Sequence, residues 1–334
     1  MARRTAFLCL GLPGALGSGT VADLLVEHAD SLSVAGHRIA ATPDVSRRAV
    51  LELTRDGDAL AAAGLARRDV EGTWEGVWRT AYRARPRNAV LAEDGLAAAT
   101  SDQVALTLDA LAGFTVHLVV VAADPADLLA RAWTAAVAED RPMPLLRFRD
   151  RLEQSGPGHE QARRWWAAHH LPGVLERWGA HVPAHRVHVV VASGDERHRV
   201  QQVGRSLGTL LGTRALLGTL AATPASRPRA LPSTVLAAMR TEGRDWADAL
   251  RASPYDVHGD PDALVAPCPA DVEDEAATLA DLTADDRLHL AGDALADALS
   301  QLEGLRRENA RLRVSASAPH TGRRRLLRHR VPTR

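Results

Sequence analysis

Ala6-Phe-Leu-Cys-Leu-Gly-Leu12, Pro13, Gly14-Ala-Leu-Gly-Ser-Gly19, then Thr20-Val-Ala-Asp-Leu-Leu25 is the stretch that decides the fold. The first seven residues carry no charge and read as a short buried strand. The glycine-rich segment reads as a loop. From Thr20 to Leu32, Val21, Leu24, Leu25 and Leu32 fall on one face at helical spacing. A strand, a glycine loop and a helix in direct succession read either as a cradle for an anion or as a plain glycine-rich turn. Glycines let backbone N–H groups turn toward the charge, and the helix N-terminus adds its partial positive charge. Gly14, Gly19 and Thr20 have the spacing of a phosphate loop, but no lysine stands between Gly19 and Thr20. That lysine would normally bring a mobile full charge to the outer phosphate.

The gap extends to the whole chain. All 41 basic side chains are arginine, set against 41 acids, so the formal net charge is zero over 334 residues. Without lysine no Schiff base forms, which excludes pyridoxal phosphate and lysine-aldolase chemistry. A standard lysine-dependent NTPase is disfavoured for the same reason. Anions must be held by Arg, His, backbone N–H groups or helix N-termini. A 46% hydrophobic fraction with 25% charge fits a soluble globular protein. Two cysteines, Cys9 and Cys268, give no disulfide framework, as expected in a reducing cytoplasm. Apolar runs such as Val116–Ala123 are far shorter than a membrane span. Arg3 and Arg4 before the apolar stretch 6–16 also suit a secretory or twin-arginine leader. The amphipathic helix that follows at once favours a first strand.

Working outward, strand and helix patterns alternate. Short strands are expected at Arg38–Ala41 and Asn88–Leu91, and a long one at Thr115–Ala122, apolar enough to be buried on both faces. Arg186–Ala192 reads as the final strand. Helices are expected at Asp69–Arg83, Ser101–Leu111, Pro125–Glu139, Glu160–Trp178 and Glu196–Leu211. Strands separated by helices of this length imply right-handed β-α-β units and a parallel sheet. Ligands of such sheets bind beyond the C-terminal strand ends. The loops after Leu12, Leu91, Ala122 and Ala192 therefore form the functional edge.

Beyond residue 212 no strand signal remains. A helix is expected over Ser233–Leu250, a loop over Tyr255–Pro269, and a long helix over roughly 284–313. In that helix Leu288, Leu295, Leu302 and Asn309 share one heptad position, and Ala291, Ala298, Leu305 and Leu312 the other. Such a seam suits pairing into a homodimer, with Asn309 fixing register, or packing on its own domain. The tail 314–334 is arginine-rich and reads as solvated, with contact to an anionic surface as the alternative. The chain thus divides into an α/β domain (1–212), a helical C-terminal extension (213–313) and a basic tail (314–334).

Phe7-Leu-Cys-Leu-Gly-Leu-Pro13 with Thr20-Val-Ala-Asp-Leu-Leu25 resembles the N-terminus of the sulfotransferase family, in the form common in actinobacteria. Val90–Thr100, Val119–Trp133, Trp166–His188 and Tyr255–Val265 are similar to later segments of that family, so the resemblance spans roughly residues 5–310. It implies a three-layer parallel α/β sheet of P-loop NTPase/sulfotransferase type. It also implies sulfuryl transfer from 3′-phosphoadenosine 5′-phosphosulfate (PAPS) to a hydroxyl or amine acceptor, without a metal. By the resemblance, Pro13, Gly14, Gly17, Ser18, Gly19 and Thr20 line the donor loop. Arg131 falls where a serine meets the 3′-phosphate, and Glu93 or Asp94 takes the place of the base. The departures are specific. The loop lysine is absent and the loop is a residue longer. Ala123 stands where a strand-end arginine is expected.

Three readings follow: a PAPS-dependent sulfotransferase, a catalytically inactive binding or scaffold protein on the same fold, or a nucleotide-binding enzyme of another class. Arg131 reads equally as a solvated helix residue, and Glu93 and Asp94 as capping acids. Weaker clusters complete the survey. His169 and His170 are adjacent and point to different helix faces. His185 and His188 are expected at an edge or surface. Asp256, His258, Asp260 and Asp262 read as a plain turn rather than a cation loop.

Overall fold

The computed structural model describes residues 4–17, 20–138, 160–214, 216, 231, 233–266 and 306. Its strands are β1 (Arg4–Gly11), β2 (His37–Ile39), β3 (Asn88–Ala92), β4 (Phe114–Ala122), β5 (Val187–Val191) and β6 (Asp256–His258). They form one sheet in the order β2-β3-β1-β4-β5-β6, with every neighbouring pair parallel. The α/β class and the parallel sheet read from the sequence are present.

The central position of β1 follows from its composition. Ala6, Leu8, Cys9 and Leu10 are fully buried and Phe7 nearly so, so both faces of the strand are covered. Val119, Val120 and Val121 of β4 and Val189, Val190 and Val191 of β5 are likewise fully buried.

The helices lie between the strands. After β1 come α1 (Val21–Glu27) and α2 (Ala29–Val34), and after β2 come α3 (Pro43–Thr54), α4 (Gly57–Ala62) and α5 (Thr73–Arg83). Then follow α6 (Ser101–Asp109), α7 (Pro125–Ala138), α8 (Glu160–His169), α9 (Leu171–Gly179), α10 (Glu196–Leu210) and α11 (Ser233–Ala252). Trp178 of α9, Trp78 of α5 and Trp246 of α11 are among the largest fully buried side chains and anchor their helices.

Several expectations change. The helix expected over Thr20–Leu32 is two helices that meet at His28. The one expected over Glu160–Trp178 breaks at His170, which caps α9 by accepting from the Gly173 N–H at 3.1 Å; Pro172 in its first turn cannot continue a helix ladder. The sequence suggests nothing between Ala41 and Asp69, where α3 and α4 lie. The loop expected at Tyr255–Pro269 contains β6, a sixth strand in register with β5 (His188 beside Asp256, Val190 beside His258). Because β6 covers that flank, His188 is buried rather than at an edge or surface. The expected seam helix and basic tail lie outside the described residues, apart from Arg306. No helix among the described residues is long and apolar enough to cross a membrane.

Candidate functional site

The strand order fixes where a ligand would enter. From β1 the chain moves past β3 to β2, whereas from β4 it moves the opposite way to β5. Diverging connections open a crevice beyond the C-terminal ends of β1 and β4. There the Leu12 N–H donates to the Val121 carbonyl at 2.8 Å, so the glycine loop starts beside Ala122 and Ala123.

The loop bonds largely to itself. The Ala15 N–H donates to Leu12 at 2.9 Å, and the Gly17 N–H to Gly14 at 3.0 Å. Gly14 and Gly17 adopt φ of +85° and +86°, a backbone state that explains the glycines without any ligand. Pro13 has no N–H to give. Ser18 and Gly19 lie outside the described residues. Thr20 caps α1 through a reciprocal pair: its N–H and hydroxyl donate to Asp23 Oδ2 at 3.0 and 2.7 Å, and its hydroxyl accepts from the Asp23 N–H at 3.2 Å. A carboxylate of the chain itself therefore occupies the positive end of α1.

The same holds across the crevice. Asp124 caps α7 by accepting the Asp127 N–H at 2.8 Å. Asp127, with 8% of its side chain exposed, accepts from Arg131 Nε at 2.8 Å and from the Arg199 guanidinium. Arg131 lies over Gly14 with its aliphatic stem and is 19% exposed. The structure thus brings Arg131 to the loop, engaged with Asp127. Burial holds the Asp124 carboxyl above its usual range, and the nearby Asp127 charge adds to this.

Arg199 is the residue that sequence reading missed. Its side chain is 6% exposed. It donates to the carbonyls of Gly194 at 2.8 Å and Ala15 at 3.4 Å, and one guanidinium nitrogen lies 3.8 Å from Asp124. One signal was available: Arg199 precedes Val203 and Leu207 by four and eight residues, which places it on the buried stripe of α10. Glu196, one turn earlier, presses its carboxyl group against Gly17, where a Cβ would meet it at 2.6 Å.

Glu93 and Asp94 follow β3, as expected. Asp94 accepts the Gly11 N–H at 3.0 Å and sits so close that a Cβ on Gly11 would overlap it. Burial pushes Asp94 up to about 7; the Glu93 and Asp23 charges add to this, and the Gly11 N–H opposes it. Glu93 is also raised by burial, against the Gly95 N–H and the Arg47 charge. Cys9 lies beneath, fully buried, its thiol pushed up to about 12 by burial and by Asp94, so it is inert as a nucleophile. Of the two acids, Glu93 alone lines a neighbouring cleft of about 590 Å³, together with Arg47, Arg55, Arg163, Arg164 and Asp56. Beside Pro13, at the start of the loop, His169 stacks on Trp165 at 4.5 Å. Burial pushes its imidazole down to about 4, although the Trp165 and Pro13 carbonyls favour its proton.

The Asp94 shift has a measurable consequence. A carboxyl whose folded value exceeds its unfolded one binds its proton more tightly in the native state. Its contribution to stability is complete below about pH 4 and is lost as pH rises toward 7. Asp94→Asn keeps an oxygen for the Gly11 N–H and removes the titration. Relative to wild type, its stability in urea should rise by on the order of 4 kcal/mol between pH 4 and 8. A difference that stays constant across that range would contradict the shift.

No family model matches the chain, and no curated protein matches it. Among solved structures, a sulfotransferase from Alicyclobacillus acidocaldarius is similar to it at 15% sequence identity and a TM-score of 0.47, with 75% of this chain and 96% of that chain covered.

Proposed function

We propose that the chain is a sulfotransferase-like binding protein whose donor crevice is lined by its own carboxylates and ion pairs. The observation that carries this reading is the self-capping of both helix N-termini at the crevice. Asp23 takes the positive end of α1, Asp124 that of α7, and the Arg131 and Arg199 guanidiniums are engaged by Asp127. These are the groups that would have to receive the phosphates and sulfuryl group of PAPS. An incoming polyanion would have to displace carboxylates and desolvate more of them, which costs several kcal/mol per uncompensated charge. The described residues of the crevice do not fit the donor, and no transfer step is assigned to them.

The ligand site we favour is instead the cleft beside Glu93. Four arginines against two acids give it a positive balance, suited to a small anionic molecule or an acidic glycan. A cytoplasmic location accords with the free, buried Cys9.

The second reading, active PAPS-dependent transfer, rests on Asp94, a carboxyl near neutrality at the edge of the crevice and matched to general-base work. Calorimetry with 3′,5′-adenosine bisphosphate separates the two. The binding-protein reading expects any heat at millimolar ligand to be lost with Arg47→Ala in the cleft, and none from the glycine loop. Micromolar binding would overturn it in favour of the enzyme.

A further inference from the structure

We propose that His188, Asp256 and His258 form a site for one divalent transition metal of zinc type, at the β5–β6 edge of the sheet. Their ligand atoms all lie within 4.8 Å of one another. The sheet itself places them. His188 of β5 is directly in register with Asp256 of β6, and His258 lies two residues further along β6. The two-residue repeat of a strand then puts Asp256 and His258 on one face. Asp256 Oδ2 meets His188 Nδ1 at 2.7 Å and His258 Nε2 at 3.0 Å. Two imidazole nitrogens and one carboxylate are a zinc-type donor set, and a three-ligand site leaves a fourth position for water.

A further contact points to the same role. His188 uses its other nitrogen: Nε2 lies 3.0 Å from Nδ1 of His117 on β4, with the two rings nearly parallel at 3°. Imidazoles that bind a metal through one nitrogen regularly hold the other in a hydrogen bond, which fixes tautomer and ring orientation. With metal on His188 Nδ1, the His188 proton sits on Nε2 and donates to His117. Metal–ligand distances of about 2.0–2.1 Å require Asp256 Oδ2 to draw back from both imidazole nitrogens by a few tenths of an ångström. Asp256, half of whose side chain is exposed, has the freedom to provide this. His188 is buried and keeps the site's floor dry.

The test uses the full chain, stripped with a chelator and titrated with Co²⁺ and then Zn²⁺. The expected result is one equivalent bound at micromolar affinity or tighter, with a visible Co²⁺ band that Zn²⁺ abolishes. Zn²⁺ should also raise the melting temperature. His258→Ala and Asp256→Asn should each weaken binding at least tenfold, and His117→Gln about tenfold. His185→Ala, on the exposed side chain two residues before β5, should leave affinity unchanged. The absence of a Co²⁺ band at millimolar metal would overturn the proposal. So would full affinity in a folded His258→Ala or Asp256→Asn protein, or an equal loss in His185→Ala.

Discussion

Arg199→Ala should lower stability by about 3 kcal/mol, read as a shift of the urea midpoint with an unchanged slope. The guanidinium serves Asp127, Asp124 and two backbone carbonyls from a nearly solvent-free position. Without it Asp127 keeps Arg131 alone, which has room to swing toward solvent. Breaking a buried pair costs more than the pair contributes, because a charge is left behind with no water to solvate it. The companion variant is decisive. Arg199→Met combined with Asp127→Asn removes both charges and should recover at least half of the loss. Arg199→Lys should not substitute, since a single ammonium cannot reproduce the fork that reaches acceptors in several directions. A loss under about 1 kcal/mol for Arg199→Ala would mean that the crevice charges are not a structural unit. The binding-protein reading would then lose its main support.

Gly243→Ala should be of similar size, about 2–3 kcal/mol, for an unrelated reason. Gly243 lies in α11, where its missing side chain lets the Leu264 carbonyl approach the helix backbone. A Cβ there would overlap the Leu264 oxygen and come within 3.1 Å of its carbonyl carbon and 3.3 Å of the Val265 Cα. All three neighbours are backbone, so no rotamer change relieves the overlap. Alanine gains about 1 kcal/mol of helix propensity over glycine, which offsets only part of the cost. The segment displaced is the short turn Pro261–Leu264 that follows β6. Gly243→Ala should therefore also weaken Zn²⁺ binding, while Gly57→Ala, where a Cβ meets nothing, changes neither quantity appreciably. A melting temperature equal to wild type for Gly243→Ala would refute the close approach.

What could be read from the sequence follows the physics of each element. β1, β4 and β5 are buried on both faces, so their apolar runs announce them. β6 contributes one apolar residue, Val257, between Asp256 and His258, and only its register with β5 makes it a strand. Of its polar residues, Asp256 bonds both His188 and His258. The helix breaks at His28 and His170 were hidden because apolar spacing continues across them while the backbone does not. At the crevice, the glycines and the two acids after β3 were visible as a local pattern. The role of Arg199 was not, because it depends on partners 72 and 184 residues away in the chain. Sequence could also show that the loop lacks lysine. It could not show that carboxylates of the same protein take up the neighbouring positive ends.

The position of β1 has a consequence for biosynthesis. It is made before both of its neighbours, β3 and β4, and its pairing is complete only when β4 has emerged. Until Phe114–Ala122 has emerged, a ribbon apolar on both faces has no permanent cover on one edge. Non-local parallel pairing of this kind is slow and exposed to aggregation. The nascent chain should therefore depend on chaperones from the synthesis of β1 until β4 has emerged.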